Sequence, residues 1–230
     1  LIQLAAVRAR KDWEESSAVP VEFDEKLVKK FVATLPFKLT NAQRKSSFQI
    51  LKDLEKNYPM NRLLEGDVGS GKTVVAAVAA LEAMMAGYQT AILAPTEVLA
   101  RQHFETFGKV LKDFSQKIGL LTNSESRTFW KKNTKKNFLG KIKRGDIKIL
   151  IGTHALIQKS VEFNKLALVI IDEQHRFGVN QRAYLQKQTS SLKDGLKKSV
   201  PHLLSMTATP IPRTLALAFF GNLDISLLDE

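Results

Sequence analysis

The chain has 230 residues, 44% of them hydrophobic and 25% charged, with a net charge of +12 and no cysteine. That length fits one large domain or two small ones, and the composition is that of a globular protein with a real core. Disulfides and thiolate metal sites are excluded, and the longest apolar run, residues 74–81, is far shorter than the roughly 20 residues a membrane helix needs.

The apolar start at 1–7 is too short for a secretory signal and runs into Arg8, Arg10 and Lys11, so a cytoplasmic setting is expected. The missing initiator Met suggests a piece of a longer chain. Residues 1–31 read as helical and charged, broken near Pro20, with no identifiable chemistry. From residue 35 onward, short β-rich runs alternate with helical stretches. The runs at 62–65, 90–94, 118–121, 147–151, 166–171, 202–206 and 225–228 are expected strands, several nearly all apolar, as in parallel strands buried on both faces. Helices are expected at 41–55, 73–86, 98–111 and 212–219. This alternation spells βαβ units and a doubly wound sheet. Residues 188–199, polar and Lys-rich, are expected to form a disordered loop.

Residues 127–148 hold nine Lys and Arg against Asp146 alone, +8 of the total +12. Such an excess suits a polyanion-binding surface. It also suits a solvated helix face, because Phe138 and Ile142 continue a four-residue spacing from Trp130 and so point apolar groups at a core. The solvated face is the stronger of the two readings.

Gly66-Asp67-Val68-Gly69-Ser70-Gly71-Lys72-Thr73 spells G-x-x-x-x-G-K-T between an apolar run and an Ala/Val-rich stretch. The strand–loop–helix context gives the pattern its meaning. Its glycines let backbone N–H groups converge on phosphate oxygens at the positive end of the following helix. Lys72 can then reach β- and γ-phosphates, and the Thr73 hydroxyl can ligate Mg²⁺. A nucleoside triphosphate is the expected ligand. The run at 166–171 ends in Asp172-Glu173, where Asp172 is placed to hold Mg²⁺ and Glu173 to orient or deprotonate the attacking water. By itself an acid ending a strand is ordinary turn chemistry.

Asp172-Glu173-Gln174-His175 is a DExH box, and together with the Lys72 loop it makes the chain resemble superfamily 2 helicases and translocases. Leu39-Thr40-Asn41-Ala42-Gln43 is similar to the Q motif, whose glutamine can pair with adenine N6 and N7 in the geometry used for reading DNA bases. The segment from Ala94 to Gln102 (A-P-T-E-V-L-A-R-Q) resembles motif Ia. Gly152-Thr153-His154-Ala155-Leu156 resembles motif Ib, and the segment from Met206 to Thr214 (M-T-A-T-P-I-P-R-T) resembles motif III. That last form, with Arg176-Phe177-Gly178-Val179 after the box, narrows the resemblance to the RecG and Mfd helicases. Ser70, the D-E-Q-H spelling and the tail Gly178-Val179-Asn180-Gln181-Arg182 favour the RecG type. The resemblance runs from about Leu35 to Glu230.

The resemblance implies an α/β fold: a RecA-like P-loop NTPase domain at 35–230, a mostly parallel central sheet with helices on both faces, preceded by a helical connector at 1–34. It implies a bacterial, nucleoid-associated DNA helicase, expected to be monomeric, that uses ATP and Mg²⁺ to remodel stalled forks and Holliday junctions. The alternative is an Mfd-type double-stranded DNA translocase coupling transcription to repair. A second RecA-like domain carrying an arginine finger and a DNA-reading wedge domain would complete the protein. Lys72, Asp172, Glu173 and His175 would be catalytic, with Thr73 and Asp172 on Mg²⁺. Phe37, Gln43, Gly66, Val68, Gly69, Ser70 and Gly71 would join Lys72 and Thr73 around ATP. Pro95, Thr96, Arg101, Gly152 and Thr153 would meet the DNA backbone, and His175, Thr207 and Thr209 would couple the two sites. For Arg101 the plain alternative is a solvated helix arginine, and for Thr207 and Thr209 strand-end hydrogen bonding.

Overall fold

In the computed structural model, which describes residues 16–132, 134–172, 199–209 and 223–229, the apolar runs join one sheet. In chain order the strands are β1 (Asn61–Glu65), β2 (Gln89–Leu93), β3 (Ile118–Leu121), β4 (Ser126–Thr128), β5 (Ile149–Gly152), β6 (Leu166–Asp172), β7 (His202–Thr207) and β8 (Asp224–Leu227). Their order across the sheet is β4-β3-β5-β2-β6-β7-β1-β8, and every pairing is parallel except β3 with β4. All seven expected strands are present. The short β4, with two of its three residues only half buried, carries no apolar run that would announce it.

The described helices are α1 (Glu25–Thr34), α2 (Asn41–Leu54), α3 (Lys72–Met85), α4 (Glu97–Val110) and α5 (Lys135–Arg144). Successive strand residues point to opposite faces, so each strand feeds two cores. Leu168 and Ile170 of β6 join Leu64, Ile92, Ile151 and Leu204 beneath α2, α3 and α4. Val169 and Ile171 join Leu93 and Leu150 on the other face, under Phe138 and Ile142 of α5. Helices therefore cover both faces, as expected of a RecA-like sheet. Helix α3 is apolar almost all round, with Val74 to Met84 all buried, because it lies between the sheet and its neighbouring helices.

Two expectations need correcting. Residues 17–24 are not helical. Pro20 and its restrictive effect on Val19 oppose a helix there. The stretch instead lies along the domain, with Val21 N donating to Leu54 O (2.8 Å) and Val200 N to Ser17 O (2.8 Å). Helix α1 starts only after Asp24, whose carboxylate accepts from the N–H groups of Lys26 and Leu27, and it buries Phe31. The second correction is Trp130, which does not share the apolar face of Phe138 and Ile142. It is 78% exposed, in the turn where Thr128 N donates to Lys131 O (3.0 Å). The pairing of Arg127 with Lys132 makes a small hairpin there, and the helix begins only at Lys135. The expected helix at 212–219 and residues 188–198 of the expected loop lie outside the described residues.

Candidate active site

In an open parallel sheet, ligands bind beyond the carboxyl ends of the strands. Here β6, β7 and β1 are neighbours, so the segments leaving them lie side by side. Glu65 is in register with Thr207 and Asp172 with Met206, and Gly66 N donates to Thr207 O (3.3 Å). The T-A-T segment thus sits between the glycine-rich loop and the acidic strand end, three segments distant in sequence but adjacent in space.

The loop is built by two left-handed glycines, Gly69 (φ 89°) and Gly71 (φ 88°). Gly71 is doubly constrained, since a Cβ there would come within 2.3 Å of Gln43 Nε2. The Lys72 ammonium lies across the loop, donating to Gly66 O (2.5 Å) and Asp67 O (2.8 Å). The first N–H groups of α3 have no intrahelical acceptor and face the same way. A cavity of about 560 Å³ opens here, lined by residues 65–70 (Val68 included), Ala208, Leu228 and Asp229. Among the described residues the buried Ser70 Oγ has no hydrogen-bond partner. A cradle of N–H groups, an ammonium, the Thr73 hydroxyl and the Asp172 carboxylate suit a polyphosphate with a hard, oxygen-seeking cation.

Gln43 completes a capping box at the start of α2, its Oε1 accepting from Thr40 N (3.0 Å). Its Nε2 donates to Ser70 O (2.8 Å) and so ties α2 to the glycine-rich loop. Phe37, 47% exposed, precedes this helix. Thr207 is fully buried, and its hydroxyl bonds Thr209 Oγ1 (3.0 Å) and accepts from Thr209 N (3.2 Å). This is a strand-end turn that stiffens the segment beside the loop. Glu173 and His175 lie outside the described residues.

The remaining motif residues gather at the ends of β2, β5 and β3, with Ala94 N donating to Gly152 O (2.8 Å). Gly152 is required for packing, because a Cβ would lie 2.0 Å from Leu121 O. Thr153 beside it is buried. Pro95 precedes Thr96, whose hydroxyl caps α4 by accepting from Leu99 N (3.2 Å). Arg101 is exposed but paired with Glu125 and Glu97, and its Nη2 donates to Ser124 Oγ (3.2 Å). Glu97 accepts from the Ser124 hydroxyl (2.5 Å) and from the N–H groups of Asn123 and Ser124, and these bonds hold its carboxyl below the usual range. The start of α4 is thereby fastened to the loop after β3.

One contact was not anticipated from sequence. His103 Nε2 lies 2.6 Å from Asp172 Oδ2, both side chains being largely buried. The available signal was slight: a histidine on the flank of the apolar stripe formed by Ala100, Phe104 and Phe107.

The chain is 48% identical to the ATP-dependent DNA helicase RecG of Aquifex aeolicus over 230 residues, all of this chain and 28% of that protein. It is 48% identical to the RecG helicase of Haemophilus influenzae over 99% of this chain and 31% of that one. The chain thus spans about a third or less of the relatives it matches. Among solved structures, RecG bound to a three-way DNA junction superposes with a TM-score of 0.79 at 41% identity, over 99% of this chain and 28% of that one. The sequence model for the DEAD/DEAH box helicase matches residues 40–218. That match runs from the Thr40 cap to beyond the strand end at Thr207, well over half of the chain, which belongs to the DEAD/DEAH box helicase family.

Proposed function

We propose that this domain is the ATP-binding half of a RecG-type DNA helicase motor, which uses ATP hydrolysis to remodel branched DNA such as stalled forks and Holliday junctions. The adjacency of the phosphate loop, the T-A-T turn and the Asp172 strand end on one sheet edge carries the reading. The RecG relatives and the junction-bound RecG structure support the DNA substrate. They lend nothing to an Mfd-type translocase.

In this reading the backbone N–H groups of residues 69–73 and the Lys72 ammonium hold the β- and γ-phosphates. Thr73 and Asp172 hold Mg²⁺, which offsets the charge that develops on the transferring phosphoryl group. Glu173 activates water. Gln43 and Phe37 face adenine; Gln43 then exchanges part of its present bonding for the base edge. Pro95, Thr96, Arg101, Gly152 and Thr153 line the DNA side, and Thr207, Thr209 and His175 link the two sides. Residues 1–34 are a connector and 35–230 the motor domain proper. A second RecA-like domain and a wedge domain in the full-length, monomeric, cytoplasmic protein complete the machine.

The test is Lys72→Ala in the full-length protein, assayed for DNA-stimulated ATP turnover. Turnover should fall below about a tenth of wild type, because phosphoryl-transfer sites depend on such charge stabilisation by orders of magnitude. Turnover above that level would refute the assignment.

A further inference from the structure

The His103–Asp172 contact joins two parts of the molecule that the proposed function keeps separate. Asp172 closes β6 at the nucleotide edge, while His103 belongs to α4, which starts at Thr96 on the DNA side. The two are 69 residues apart in sequence and 2.6 Å apart in space, with side-chain exposures of 12% and 13%. Toward a carboxylate acceptor the ring nitrogen must carry the proton, so His103 donates. Such a bond fixes the plane of a carboxylate that has few rotamers to begin with, and outer hydrogen bonds of this type orient metal-holding groups.

Helix α4 is also suited to carry a displacement from one end to the other. Phe104 and Phe107 are fully buried and anchor it to the sheet. At its start, Glu97 and Arg101 grip Ser124 and Glu125 of the loop after β3. Movement of the Pro95–Thr96 turn or of that loop must therefore rotate or slide a packed helix, and His103 rides on it. Packed elements of this sort shift between discrete arrangements rather than bending smoothly.

We propose that His103 is a positioning residue: it holds the Asp172 carboxylate in place and links its orientation to the helix that begins at the DNA-facing turn. Occupation of that turn by a nucleic-acid backbone then alters how well Asp172 serves the cation at the nucleotide. The inference rests on the helicase reading and adds a route by which DNA regulates the ATP site.

The experiment uses the full-length protein with His103→Phe, which keeps the ring volume without a donor, and His103→Gln, which keeps a donor without the ring. Binding of a fluorescent ATP analogue is titrated with Mg²⁺, and ATP turnover is measured with and without a three-way DNA junction. His103→Phe should raise the Mg²⁺ needed for half-maximal analogue binding by about 10- to 100-fold, the usual cost of losing such an outer hydrogen bond. It should also lose most of the stimulation by DNA. His103→Gln should stay within about threefold of wild type on both measures, even if its melting temperature falls. A packing role predicts the reverse order, with Phe tolerated and Gln defective, and that result would overturn the proposal. Wild-type behaviour of both variants would overturn it too, leaving the helicase reading intact. Absence of ATP turnover and DNA stimulation in the wild-type protein would instead sink both.

Discussion

Glu82 is an acid set inside a helix layer. It is 2% exposed on α3, one oxygen accepts from Asp24 N (3.4 Å), and the other has no partner among the described residues. Burial is the main cause that raises its pKa to about 7, with the nearby charges of Asp24 and Glu55 adding to it. A folded-state value above the unfolded one means that the folded chain holds its proton more tightly. The associated stability is complete below about pH 4.5 and is lost as pH rises through 7. Glu82→Gln keeps the shape without the charge. It should stabilise the domain by about 3 kcal/mol at pH 8 and by less than about 1 kcal/mol at pH 5. Urea unfolding at the two pH values measures this, and an equal effect at both would contradict it. His202 works in the opposite sense. Met60 N donates to its Nδ1 (3.0 Å) and its Nε2 donates to Val19 O (2.9 Å), while burial lowers its pKa. Its contribution is present above pH 6.5 and is lost on acidification, as the neutral ring with both nitrogens engaged must take up a proton. The two groups limit stability from opposite sides of neutrality.

At the scale of elements, α5 decides the meaning of the basic segment. Phe138 and Ile142 are fully buried against the sheet, so the cationic side chains turn outward. Several already have local partners: Lys143 Nζ lies 2.6 Å from Glu162, and Arg144 lies 2.8 Å from Asp146. Exposed pairs of this kind add little to stability but lower the local field available to a polyanion. Neutralising Lys136, Lys143 and Arg144 together should therefore leave the salt dependence of DNA binding nearly unchanged. Each lost duplex-phosphate contact would flatten log K against log salt by about 0.9. A flattening of about two or more in a salt titration would show that this face meets DNA. Lys132 and Lys135 differ in placement, because they line a cleft of about 300 Å³ with residues 121–126. That cleft adjoins the loop gripped by Glu97 and Arg101.

The whole molecule presents one sheet edge divided by β6. In the proposed function the ends of β1 and β7 form the nucleotide side and those of β2, β5 and β3 the DNA side. If hydrolysis occurs between two such domains, the 230-residue domain alone should bind ATP weakly and turn it over slowly. Arginine fingers supplied from a facing wall are worth roughly 10³–10⁵ in rate in other P-loop enzymes. Stepping along DNA needs two bodies that close on each other as nucleotide comes and goes. ATPase and junction unwinding by this domain, beside the full-length protein, give the comparison. DNA-stimulated turnover of similar size in the two would rule out the two-wall mechanism.

The strands and the glycine-rich loop were legible in the sequence because their signals are local. Buried parallel strands need continuous apolar runs, and a loop that turns through left-handed φ at Gly69 and Gly71 needs glycine at those positions. The helix starts after Thr40 and Thr96 are local too, each set by a threonine hydroxyl that accepts from a backbone N–H three residues on. The exposed Trp130 was misread because a four-residue spacing carries no information about the hairpin turn, closed by the pairing of Arg127 with Lys132, that holds Trp130 outside the helix starting at Lys135. What only the tertiary structure decided was adjacency across long separations. Strand order brings Thr207 beside Glu65 and packs Gly152 against Leu121, whereas helix packing on the sheet closes Gln43 onto Ser70. It also sets His103 on Asp172. Composition and periodicity report whether a residue is buried, but the identity of its partner depends on how the chain crosses the sheet. That crossing is fixed by the packing of all the strands and helices together.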